Sequence, residues 1–224
     1  MEGVAGVCGV RPRLLACGGI QVVVSDYEGE TVRIEREQVF AHERVVRRVL
    51  ESVTPLPFRF GTLAGAEKLE KFVETNREAL LNNLERVRNC VEMSVKIIWD
   101  VDKVRRQARA ASEREGEAGE PKASGEGASY LEARRREILG GELLKERAQE
   151  VAEWLKECLA GEAVEHELEV RPSEPLVVRA AFLVRRERLK DYQARVEEAR
   201  ASRADLRFLT SGAWPPYSFS NINP

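Results

Sequence analysis

The stretch CVEMSVKIIWD, residues 90–100, alternates almost strictly. Val91, Met93, Val95 and Ile97 fall on one face, and Glu92, Ser94 and Lys96 on the other. That period of two is the signature of a half-buried β-strand. The fold class depends on which sheet takes it. Downstream, the order reads αββαβ. A long helix runs from Tyr130 to about Leu159. The strands AVEHELEV (163–170) and LVVRAAFLV (176–184) are joined by the turn RPSEP. A helix from Arg186 to about Arg203 and the short strand DLRFL (205–209) follow. If Val91–Trp99 joins these elements, the order becomes βαββαβ, which is ferredoxin-like. It could equally belong to an upstream sheet.

Upstream, GVAGVCGV (3–10) and IQVVVSDY (20–27) read as strands, and Gly18-Gly19 as a hairpin turn. A helix is predicted over Glu35–Val53 and a second from Ala66 to about Arg88, each from an apolar stripe at three- and four-residue spacing. Between them lies TPLPFRFGT (54–62). Its prolines block helix and favour extended backbone, so Phe58 and Phe60 are predicted on one face of a strand and Arg59 on the other. Arg59 and Glu92 are charges in apolar strands and are candidate partners in a structural pair.

SEREGEAGEPKASGEGAS (112–129) has no large apolar residue and reads as a flexible linker. The expected organisation is α+β with two α/β sandwich-like domains. The first covers 1–106, a linker covers 107–128, a ferredoxin-like domain covers 129–210, and an aromatic-proline tail covers 211–224.

Function classes narrow by what the chain does not carry. Its 36 Lys and Arg against 38 Asp and Glu give a formal charge of −2, with no global pull towards nucleic acid. The basic clusters alternate with glutamates, as solvated helix faces do. No run of 18 apolar residues occurs, and the opening MEGVAGVCGV lacks a basic leader region, so no spanning helix or signal peptide is expected. The four cysteines form no C-x-x-C and read as reduced thiols of a cytoplasmic protein. The two histidines, His42 and His166, sit in separate segments without ligand spacing. FGTLAGAEK (60–68) displaces the lysine a phosphate loop needs, so Gly61 reads as a turn residue. Neither a catalytic site nor a cofactor, metal or small-molecule substrate is expected.

What stands out is the end of the chain. Aromatics are 6% of the residues, yet Trp214, Tyr217 and Phe219 lie within six positions, around Pro215-Pro216. Prolines lower the entropy of docking, and Trp and Tyr are common interface anchors. The tail is therefore expected to dock, with Trp214 in a groove of its own chain, Pro215-Pro216 turning across it and a remaining aromatic edge left to contact a partner.

TSGAWPPYSF (210–219) resembles the closing signature of the gas vesicle protein F/L family. PLPFRFGTL, VEMSVKI, SYLEARRRE and AAFLVRRE are similar to further family segments in the same order, and FAHERVVRRVLE is similar to its first helix. Ala213 stands where proline is usual, and the first strand lacks the usual aromatics. The resemblance implies a non-enzymatic accessory protein, a minor shell component or assembly factor of gas vesicles, localised to the cytoplasm and the vesicle. Its implied partners are the hydrophobic main shell protein and other accessory proteins, with no nucleic acid or membrane. The alternatives are a ligand-binding or enzymatic module on a ferredoxin-like fold, and a family member reused outside gas vesicles.

Overall fold

The computed structural model describes residues 3–116 and 126–220. The chain divides into two compact units, each assembled from separate stretches of sequence. The first comprises Met1–Met93, Leu183–Glu187 and Gly212–Pro224; the second comprises Ser94–Phe182 and Arg188–Ser211. These limits differ from the expected cut at 106 and 129: residues 94–106 belong to the second unit, and Leu183–Glu187 and the end of the chain join the first.

In the first unit, β1 (Arg13–Cys17) and β2 (Ile20–Val24) form an antiparallel hairpin, with Cys17 opposite Ile20 and Arg13 opposite Val24. Gly18 and Gly19 both have positive φ, 54° and 81°, as a two-residue primed turn demands. The strand expected over residues 3–10 is absent. Glycines weaken strand pairing, and Val7–Gly9 instead forms a short 3-10 turn. The first strand is RLLAC, where no strand was expected.

Helices α1 (Arg36–Leu50), α2 (Ala66–Thr75) and α3 (Arg77–Arg86) follow. The expected single helix over 66–88 is broken at Asn76, whose side-chain amide donates to the Phe72 carbonyl at 2.8 Å. Local side-chain bonds of this kind compete with helix continuation. Cys17, Ile20, Val73 and Leu80 form a core that Leu15, Leu56, Leu69 and Phe72 extend. The strand expected at 54–62 does not form either. This stretch is irregular but pinned: Thr54 Oγ1 donates to the Cys90 carbonyl at 2.9 Å, and Phe58 meets Phe72 edge-on at 5.9 Å.

The strand at the centre of the sequence argument is β3 (Cys90–Ile98). With β4 (Glu165–Val170), β5 (Leu176–Arg185) and β6 (Arg207–Trp214) it makes a four-stranded sheet of order β4-β5-β3-β6, separate from the hairpin. Helices α4 (Val101–Gly116), α5 (Glu126–Leu159) and α6 (Leu189–Ser202) complete the chain. On α5, Leu144, Ala148, Val151, Ala152, Leu155 and Leu159 are buried, one helical stripe at spacings of three and four. Tyr192, Val196 and Ala199 are the matching stripe of α6. Of the expected linker, 107–116 and 126–128 are helical, and 117–125 lie outside the described residues. QARAASER (107–114) is rich in Ala and Arg, whose helix propensity outweighs the absence of large apolar residues.

Candidate partner-binding site

Four features of the first unit converge on the end of the chain. The first is β3, which begins with Cys90, Val91, Glu92 and Met93 all buried. Glu92 is 9% exposed, so its carboxylate needs hydrogen-bond donors to replace water. The Ser218 backbone N–H donates to it at 2.8 Å and the Ser218 hydroxyl at 2.9 Å. Such bonds to a charged acceptor are stronger than neutral ones.

The second is the turn that aims Ser218. Pro215 and Pro216 are buried, and the Tyr217 and Phe219 amides donate back to the Pro215 and Pro216 carbonyls at 2.8 and 3.2 Å. The third is Phe219, which is 2% exposed and whose carbonyl accepts from Arg86 Nη2 at 2.5 Å. The fourth is Trp214, over whose ring the Arg47 guanidinium of α1 lies at 4.8 Å, a cation–π contact. Gly212 sets the approach to β3. Its φ is 137°, and a Cβ there would stand 2.6 Å from Met93 Sδ and 2.9 Å from the Glu92 carbonyl oxygen. Only glycine fits such a position.

Tyr217 alone among these aromatics stays substantially exposed, at 37%. Burial of its hydroxyl, with the Glu43 and Glu92 carboxylates nearby, pushes the phenol up to about 12.

The Arg59–Glu92 pair does not form. Arg59 is exposed, in a stretch that is not a strand, and Glu92 is taken by Ser218. Phe60 and Gly61 lie in the turn that follows. Gly61 has a φ of 88°, and the Thr62 hydroxyl closes the turn on the Arg59 carbonyl at 2.8 Å. Phe60 packs edge-on against His42 at 5.9 Å. His42 Nε2 bonds the Phe58 carbonyl at 3.2 Å. Burial lowers its pKa and that bond partly restores it, so it is a packed histidine, not a ligand. The residues missed by sequence reasoning are Ser218, Arg86 and Arg47. Nothing local marks them: Arg47 and Arg86 lie among other charges on α1 and α3, and Ser218 is a small polar residue between two aromatics.

A groove of about 690 Å³ lies within the second unit, lined by Trp99, Lys103, Arg147, Glu150, Arg203 and Asp205 among others. Arg203 grips both oxygens of Asp205 at 2.8 Å and holds its carboxyl below the usual range, so the charge there is neutralised internally. Among the described residues the lining contains no histidine, cysteine or serine. Among the described residues no cluster of three or more His, Cys, Asp or Glu could hold a metal ion. No helix among them is long and apolar enough to cross a membrane.

Comparison with known proteins places these features in a family. The model of gas vesicle synthesis protein GvpL/GvpF matches residues 2–221, and the chain belongs to this family. It is 27% identical over 212 residues to gas vesicle protein F of Streptomyces sp. (strain CB03234), covering 92% of this chain and 87% of that protein. It is 25% identical over 223 residues to gas vesicle protein L1 of Halobacterium salinarum, covering 90% and 78%. The crystal structure of GvpF from Microcystis aeruginosa has the same fold, with a TM-score of 0.80 at 20% identity over 99% of this chain and 94% of that one.

Proposed function

We propose that this GvpL/GvpF family member is a non-enzymatic accessory protein that binds the hydrophobic main shell protein of gas vesicles and assists their formation, as a minor shell component or assembly factor. An apolar shell subunit aggregates before assembly unless its surface is covered. The observation that carries the reading is the combination at the end of the chain. Phe219 is buried and Ser218 is bound to Glu92, while Tyr217 between the prolines and Ser218 remains 37% exposed. An aromatic held in place loses little entropy on binding, which makes Tyr217, beside Trp214, an interface anchor. We read residues 214–220 as a docked tail on the same grounds. The ferredoxin-like reading of the segment from β3 to β6 is supported by its strand order, β4-β5-β3-β6, with helices α4 and α5 after β3 and α6 after β5.

The test is a pull-down of the main shell protein by the full chain and by Tyr217→Ala. Wild-type capture that weakens in Tyr217→Ala at unchanged thermal midpoint is the expected result. Absence of wild-type capture removes the function; equal capture by Tyr217→Ala removes the site.

A further inference from the structure

Helix α1 buries Ala41 and Val45 on its inner side and turns Phe40 outward, 43% exposed, with Val39 beside it at 37%. The Arg36 guanidinium lies over the Phe40 ring at 5.3 Å. What marks this face is the order of charges around Phe40. Arg36 and Glu37 stand four and three residues before it, and Glu43 and Arg44 three and four after it. At about 100° per residue, Arg36 and Glu43 fall on one flank of Phe40, and Glu37 and Arg44 on the other. Each flank thus carries one cation and one anion. They are about 10 Å apart along the axis, too far to pair within one helix. Among the described residues Arg36, Glu37 and Arg44 form no ion pair, and Glu43 gives only its Oε1, to Arg47 at 2.8 Å.

We infer that this face pairs with the same face of a second copy of the chain, the two α1 helices running antiparallel about a two-fold axis at Phe40. The occupant follows from the charges. A two-fold interface requires a patch that complements itself. An antiparallel copy keeps each flank against its own counterpart and reverses the order of charges along it. Arg36 then stands opposite Glu43 of the second copy, and Glu37 opposite its Arg44, each within about one residue of rise. The symmetry makes each pair twice, so four ion pairs surround the contact of Phe40 with Phe40. A partner of one charge sign repels one member of each flank, whereas a second copy matches all four. Covering Phe40 supplies the apolar centre that such a contact needs, and the charges fix its direction and register. The pairing needs no shell protein and goes beyond the function proposed above.

Sedimentation velocity of the full chain over a concentration series tests this, with the thermal midpoint of each variant as a check on folding. Wild type is expected to pass from monomer to dimer as its concentration rises, and Phe40→Glu to stay monomeric. Glu37 and Arg44 are exposed, so exchanging their charges leaves the core untouched. Glu37→Arg and Arg44→Glu, each alone, are expected to weaken the dimer about three- to tenfold, because each sets like charges opposite one another twice. Glu37→Arg and Arg44→Glu together are expected to restore it. A wild type that stays monomeric up to about 1 mM overturns the inference. So does a dimer that survives Phe40→Glu, which would use another face. A double variant no tighter than the single ones overturns the antiparallel pairing.

Discussion

At the scale of single residues, the best-supported interaction is the one least expected from sequence. Glu92 alternates correctly for a strand, and its charge suggested a partner on a neighbouring strand; the donors instead come from Ser218, 126 positions later. Replacing the carboxylate with an amide leaves one oxygen for two donors and puts a buried NH₂ in the place of the other. Glu92→Gln is therefore expected to lower stability by about 1–3 kcal/mol, read as a lower urea midpoint at constant slope. Arg59→Met, at an exposed position, is expected to leave the midpoint unchanged. Equal midpoints for wild type and Glu92→Gln would show that the bonds to Ser218 contribute nothing.

Tyr217 supplies a pH dependence. Its folded pKa is raised to about 12, from an unfolded value of about 10. The folded state thus holds the proton more tightly. The stability associated with it is fully present below pH 10 and is lost as the pH rises from about 10 to 12. Tyr217→Phe is expected to flatten that part of the alkaline unfolding curve. An identical curve in the variant would rule out Tyr217 as its source.

At the scale of elements, the segment after β6 behaves as an extension of the core, in contrast to the frayed ends common in proteins. Burying Phe219 contributes roughly 1.5–3 kcal/mol, and its removal also leaves Glu92 buried without Ser218. Deleting the chain from Trp214 onwards is expected to lower the thermal midpoint and to weaken shell-protein binding together. Unchanged stability with lost binding would make the segment a partner motif alone. Lower stability with full binding in a stabilised background would make it a clasp alone. The helices show what local patterns reveal. α1, α5 and α6 follow from their stripes within a few residues. The break at Asn76 does not, because the apolar spacing continues across it and only the side-chain bond to Phe72 marks the interruption.

At the scale of the whole molecule, the first unit is stitched from both halves of the chain. Its N-terminal stretch holds Arg47, Arg86, Asn89 and Glu92; the later stretches bring Arg186, Trp214, Ser218 and Phe219 to them. The Gly, Glu, Pro and Ser composition of residues 117–125 makes it the expected first site of limited proteolysis. The two fragments are expected to stay associated after a cut there, because these contacts cross it, and to separate only under denaturant. Fragments that part on gel filtration in native buffer would show that the stitching is too weak to hold the unit. First cleavage elsewhere would contradict the compositional reading.

The sequence by itself determined the secondary elements with strong periodicity, the Gly18-Gly19 turn and the family. Period two and period three-to-four are properties of adjacent residues, and the TSGAWPPYSF ending is a local string. Only the tertiary structure decided that β3 joins β4, β5 and β6 and not the hairpin, since its alternating pattern presents an apolar face that either sheet could have covered. It also decided that Arg59 stays in solvent while Ser218 satisfies Glu92. A buried carboxylate requires donors, but which donors reach it is settled by chain paths that bring residues 92 and 218 together, and no spacing in the sequence encodes that meeting.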